Sequence, residues 1–212
     1  MYHFVYVTKK EAAPIKNELI SLINEVQDIL RKDFTFQYRF IGSSRRNMIT
    51  HDVRSNIGFD FDVNIEVNDD EENYSAEEIR KRIYKALNKV AKRYEYDFPE
   101  ESTRVLTIKF KDRKNKRVIH SCDFAVVYNC DDGRQQYIRY NKQRNNYTWE
   151  YTSVGFKNIE EKIEYIKENN LQAELKDIYL YKKNTNTDKN KHSRSIFAES
   201  VNQVSQQNGY FD

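Results

Sequence analysis

The sequence holds only two cysteines among its 212 residues, too few for a disulfide framework in a chain of this length. Cys122 and Cys130 lie in or beside one expected strand, and a Cys-x7-Cys spacing matches no metal site. No histidine–cysteine cluster has zinc spacing, so His51 and His120 read as structural or solvated. No apolar run approaches the ~20 residues of a membrane span. The start, MYHFVYVTKK, is too short and too polar for a signal peptide. A soluble, cytoplasmic chain is therefore expected, with no membrane partner. Internal repeats are absent. So is a dominant charge: 36 Lys and Arg stand against 33 Asp and Glu, a net +3, which gives no global argument for nucleic acid. Two basic stretches, Arg45-Arg46 and Lys111 to Arg117, are candidates for a local positive patch, and each also reads as a solvated loop.

What the chain does have is aromatic bulk. With 33% charged residues and a mean hydropathy of −0.94, it must present a very polar surface. Sixteen Tyr and twelve Phe supply the buried area instead, as large rings can. The length suffices for a substantial core, in one domain or one domain with a helical appendage. Helical spacing of Ile15, Leu19, Leu22, Ile23, Val26, Ile29 and Leu30 predicts a helix from Ala12 to Leu30, with Pro14 in its first turn. A second helix is expected from Ser75 to about Tyr94, opened by a Ser75/Glu78 capping box. Strands are expected at 34–41, 59–67, 105–110 and 118–128, with a further hairpin at 135–151. Its tyrosines and Trp149 could stack a base, or be core and strand-surface residues. The segment 45–57 is polar, with weak helical character at best. Three helices are expected at 159–168, 172–182 and 195–204, with 206–212 frayed. The expected class is α+β, a mixed β-sheet flanked by helices. Residues 1–155 would form the core, and 156–212 a C-terminal helical segment packing on it.

One pattern points to chemistry. The strand 59–67 alternates strictly, placing Phe59, Phe61, Val63, Ile65 and Val67 on one face and Asp60, Asp62, Asn64 and Glu66 on the other. Carboxylates at i and i+2 have Cα atoms only about 6.5 Å apart and repel each other unless a cation intervenes. Aspartate is also disfavoured in strands. Two magnesium ions about 3.5–4 Å apart would suit such a pair. An ordinary half-exposed strand with a wet face reads the same way. Asp123 adds to the case, because its strand row includes Ile119, Ala125 and Val127, and a buried carboxylate requires a cation or a strong donor. Gly42 and Ser43, ending the strand before, allow close backbone approach and offer a hydroxyl to phosphate oxygens.

In that order, Phe40-Ile41-Gly42-Ser43, then Phe59-Asp60-Phe61-Asp62-Val63, then Cys122-Asp123-Phe124, the chain resembles the nucleotidyltransferase superfamily typified by DNA polymerase beta. The oligoadenylate synthetases and the bacterial cyclic-dinucleotide synthase relatives belong to it. The resemblance covers roughly residues 10 to 130 and extends to the two flanking helices. The gap from Ser43 to Asp60 is longer than most members show, and no Gly-Thr follows the Gly-Ser. It implies a polymerase beta-like core that transfers a nucleoside monophosphate from an NTP (ATP or GTP) to an acceptor hydroxyl, such as that of a nucleotide or an RNA end, and releases pyrophosphate. Asp60, Asp62 and Asp123 would hold two Mg2+ ions, with Mn2+ as a substitute, and Asp123 would accept the proton of the attacking hydroxyl. Gly42, Ser43 and Ser44 would cradle the triphosphate, with Arg45, Arg46 or Arg54 reaching its oxygens. The competing expectation is a catalytically inactive module that keeps the fold to bind nucleotide, RNA or a protein partner.

Overall fold

The computed structural model describes residues 2–55, 58–69, 72–152, 156 and 158–210. The elements run β1 (Phe4–Tyr6), α1 (Lys9–Leu30), β2 (Thr35–Ile41), α2 (Gly42–Arg45), β3 (Thr50–Asp52), β4 (Phe59–Asn68) and α3 (Ala76–Ala91). A 3₁₀ turn (Lys92–Tyr94) extends α3, and β5 (Glu100–Glu101), β6 (Val105–Asp112), β7 (Arg117–Asn129), β8 (Gln135–Asn141) and β9 (Asn146–Tyr151) follow. The helices α4 (Ile159–Glu168), α5 (Gln172–Thr185) and α6 (Ser193–Gln207) come last. The chain divides into two compact units, one of Tyr6–Ile49 with Asn56–Thr152, the other of Met1–Val5, Thr50–Ser55 and Ser153–Asp212.

The larger unit is built on a seven-stranded mixed sheet in the order β2-β4-β7-β6-β5, with β8 added to β7 and β9 to β8. Among the described residues of this sheet, only β4 and β7 pair in parallel. A parallel pair needs a long crossover, which here contains α3. The alternation of β4 has the expected outcome: Phe59, Phe61, Val63, Ile65 and Val67 are buried, and join Leu106, Ile108, Cys122, Phe124 and Val126 in one core. α1 and α3 supply the rest through Leu19, Leu22, Ile23, Val26, Ile79, Ile83, Leu87 and Val90. Both helices start at capping boxes, Ser75 with Glu78 as expected and Thr8 with Glu11 in addition, so α1 begins earlier than its apolar spacing suggests. Pro14 consequently lies in the second turn, not the first, and costs the helix one backbone bond.

His120 sits on this buried face, as its position opposite Asp123 implies. Its ring stacks on Phe110 at 5.0 Å, and Nε2 lies 2.9 Å from the Tyr96 hydroxyl. Burial lowers its pKa to about 4, which leaves the imidazole neutral at pH 7. Arg80, also buried, donates from Nε to Glu101 at 3.0 Å and from its terminal nitrogens to the Arg104 and Ser102 carbonyls at 3.0 and 3.3 Å, fixing β5 to α3. At the end of β6 and just beyond it, Lys111 and Arg113 both pair with Asp97, at 2.7 and 3.4 Å. In the β8–β9 hairpin Tyr147 and Trp149 pack against the core, and Tyr147 stacks on Tyr140 at 4.6 Å.

The smaller unit contains the three expected helices, α5 and α6 each running longer than their apolar spacing. α6 extends through Gln207, and residues 211–212 of the segment read as frayed lie outside those described. α6 packs with both α4 and α5. The unit also takes in β3 and Phe4 and Val5 of β1, both strands too short to register in the sequence. Asn184 of α5 accepts the Phe4 N–H at 2.6 Å and donates to its carbonyl at 3.0 Å, serving that strand as a neighbouring backbone would. No helix among the described residues is long and apolar enough to cross a membrane.

Candidate active site

The face of the sheet opposite α1 and α3 carries the acids. Strand pairing places Asp62 of β4 directly beside Asp123 of β7, and Asp60 beside Ser121. On the far side of β7, Thr107 of β6 stands opposite Asp123, and Lys109 opposite Ser121. Ile41, the last residue of β2, pairs with Asp62. One row across the sheet therefore reads Ile41, Asp62, Asp123, Thr107, and the next Asp60, Ser121, Lys109. The three aspartates, far apart in sequence, share one patch because β4 and β7 are parallel neighbours.

Each acid is held differently. Asp123 Oδ1 accepts from the Thr107 hydroxyl at 2.5 Å. Asp60 Oδ1 accepts from the Ser121 hydroxyl. Asp62 accepts no hydrogen bond from any described residue. Burial, then the charges of Asp123 and Asp60, push its pKa up to about 6, against a smaller opposing pull from Arg46. Burial also raises the Asp123 pKa, and the Thr107 bond partly offsets this. Among the described residues no Lys or Arg forms an ion pair with any of the three. Lys109, the lysine on their rows, is held by Glu100 at 2.6 Å.

The Asp123 row is less apolar than Ile119, Ala125 and Val127 imply, because Ser121 belongs to it and is buried. Ser121 and Thr107 are the site residues that the linear sequence hides. Each looks like an ordinary strand residue until the register shows what it faces.

Gly42 and Ser43 open α2 directly after β2, as the Gly-Ser pattern requires. Gly42 has φ +63°, and a Cβ built on it would lie 2.3 Å from Asp62 Oδ2. The glycine thus lets the backbone approach the carboxylate from the side that lacks a donor. The Ser44 hydroxyl donates to the Ile41 carbonyl at 2.9 Å and closes this turn. Arg45 and Arg46 follow, both exposed, and Arg46 is the one whose charge acts on Asp62. Arg54 belongs to the smaller unit, where its backbone N–H donates to buried Asp52 at 3.0 Å. The segment 45–57 holds β3, and its residues 56–57 lie outside those described.

The donor chemistry suits a hard divalent cation: three carboxylates on one face, one without any protein donor. Among the described residues no three His, Cys, Asp or Glu side chains already converge on a common point. Ser121 and Thr107 each engage one oxygen, of Asp60 and of Asp123 respectively, and the second oxygen of each accepts no hydrogen bond from a described residue.

No family model and no curated protein matches the chain. Solved structures match its fold. The Vibrio cholerae cyclic AMP-GMP synthase DncV, in complex with the linear intermediate pppA(3',5')pG, superposes with a TM-score of 0.68 at 11% identity, over 98% of this chain and 69% of that one. Its GTP-bound form gives 0.60 at 16% identity, over 92% and 52%. The GTP complex of Bradyrhizobium diazoefficiens CdnG, a CD-NTase, gives 0.52 at 11% identity, over 96% and 50%. The chain spans about half the length of the last two. It has the α+β nucleotidyltransferase fold in the form seen in bacterial cyclic-dinucleotide synthases.

Proposed function

We propose that the chain is a metal-dependent nucleotidyltransferase that moves a nucleoside monophosphate from ATP or GTP to an acceptor hydroxyl, with pyrophosphate as the leaving group. The observation that carries this reading is the row Asp62–Asp123, with Asp60 one step along: acids on one open sheet face, unpaired by any described Lys or Arg, beside a glycine that brings backbone against Asp62. The ligands of the fold neighbours, GTP and a linear dinucleotide, favour a nucleotide hydroxyl as acceptor.

Asp60 and Asp62 would hold two divalent ions, magnesium or manganese, with Asp123 on one of them. Such ions supply neutralisation of triphosphate charge and a lowered pKa at the attacking hydroxyl. Gly42 and Ser43 would hold the β- and γ-phosphates, assisted by Ser44 and by the guanidinium groups of Arg45 and Arg46. The acceptor oxygen attacks the α-phosphorus in line as the bond to the pyrophosphate oxygen breaks. Asp123, beside the attacking hydroxyl, would accept its proton. Positioning and charge neutralisation do the rest, with no covalent intermediate on the protein.

Labelled ATP and GTP, incubated with the chain and Mg2+, are expected to release pyrophosphate and yield a phosphodiester product. Asp60→Ala and Asp123→Ala should each reduce that release by about 10²–10³-fold or more with the chain still folded. Full activity in both variants would overturn the site. Nucleotide binding without turnover would favour the inactive module.

A further inference from the structure

Ser121 and Thr107 do more than satisfy two carboxylates. Each comes from the strand next to its aspartate and stands in register with it, Ser121 with Asp60 and Thr107 with Asp123. Each engages Oδ1 alone. Oδ2 of Asp60 and of Asp123 accepts no hydrogen bond from a described residue. The donors are also neutral. A lysine or arginine at either position would cancel the charge of the carboxylate, and a guanidinium, which binds bidentately, would occupy both oxygens. The lysine that does share these rows is ion-paired to Glu100 at 2.6 Å, and its charge acts on Asp123 less than the Thr107 bond does. The patch keeps its negative charge while two of its three acids are held in fixed orientations.

We propose that Thr107 and Ser121 are positioning residues for divalent-cation binding: their hydroxyls lock one oxygen of Asp123 and of Asp60 and present the other oxygen as ligand. This rests on the metal-dependent reading of the site. Partners of this kind orient ligating carboxylates, and their loss typically weakens metal binding about 10–100-fold. β7 then serves twice through residues two apart on one face, giving Asp123 as ligand and Ser121 as the group that aims Asp60. Asp62, between them and without a donor, is aimed by the cation alone.

The test is Mn2+ binding to the nucleotide-free protein, read by electron paramagnetic resonance, together with the Mg2+ concentration giving half-maximal pyrophosphate release. Thr107→Val keeps the shape and strand preference of threonine and removes only the donor. Its Mn2+ dissociation constant and its half-saturating Mg2+ should both rise about 10–100-fold. Thr107→Ser, which restores the hydroxyl, should return both to near the wild-type values, a rescue that a packing role would not give. Ser121→Ala provides an independent arm with the same expected direction. Should Thr107→Val and Ser121→Ala bind Mn2+ like wild type while Asp123→Ala does not, the positioning role is wrong and the metal site stands. If Asp123→Ala also binds Mn2+ like wild type, both are wrong.

Discussion

Asp62→Asn is expected to abolish nucleotidyl transfer and at the same time to stabilise the metal-free protein. The carboxyl has no hydrogen-bond donor among the described residues and two acidic neighbours, and its pKa is raised from 3.8 to about 6. A carboxyl with a raised folded-state pKa binds its proton more tightly folded than unfolded. Below about pH 4 both states are protonated and nothing is lost. As pH climbs from about 4 to about 6 the unfolded chain ionises first, so stability falls, and above about 6 the full cost is present. Each pKa unit corresponds to about 1.4 kcal/mol, so the neutral, isosteric amide should recover about 1–3 kcal/mol at pH 8. At about 2–4 °C per kcal/mol for a chain of this size, thermal melts in chelator should resolve it. The gain should vanish near pH 4. The same variant, lacking one of the carboxylates that would hold the ions, should lose at least about 10²–10³-fold in pyrophosphate release. A variant less stable than wild type at pH 8 would mean that Asp62 has a stabilising partner on the protein.

Gly42→Val should damage the site from the opposite side. At φ +63° a side chain costs about 1–2 kcal/mol in backbone strain, more for a β-branched one. Its Cβ would also fall 2.3 Å from Asp62 Oδ2 and 3.1 Å from Cγ, so the carboxylate must turn away. Displacement of a reacting group by about 1 Å can cost ~10²-fold in rate, and a loss of that order is expected beside a lowered melting temperature. Gly133→Ala is the control. Gly133 also has positive φ, +80°, but a Cβ there meets nothing within 4 Å. It should lose stability through strain alone and keep its rate. Equal rate losses in the two variants would show that strain, not collision with Asp62, is responsible.

Much of this site is legible in the amino-acid sequence, because its signals are local. The strict alternation from Phe59 to Val67 assigns Asp60 and Asp62 to one face, and their spacing follows from strand pleat alone. Ser75 with Glu78 and the apolar stripe of α1 are likewise short-range patterns, and the mixed sheet follows from the order of elements. The parts that are not legible depend on pairing between distant strands. Nothing near Thr107 or Ser121 announces a role, since serine and threonine are unremarkable in strands and their partners lie 16 and 61 residues away. β1 and β3, of three residues each, owe their existence to their neighbours rather than to their own composition. The same holds for two of the stretches that make up the smaller unit, Met1–Val5 and Thr50–Ser55, which no shift in composition marks. Pro14 misleads for a local reason, as the Thr8/Glu11 box starts α1 ahead of its apolar face.

Most direct is a count of Mn2+ bound per chain, by electron paramagnetic resonance, in the presence of a saturating non-hydrolysable ATP or GTP analogue. Two ions in the wild-type protein, and at most one in Asp60→Ala, Asp62→Asn and Asp123→Ala, is the expected result. No Mn2+ bound with the analogue in place, or an occupancy that none of the three substitutions changes, would contradict a metal-and-triphosphate site on β4 and β7.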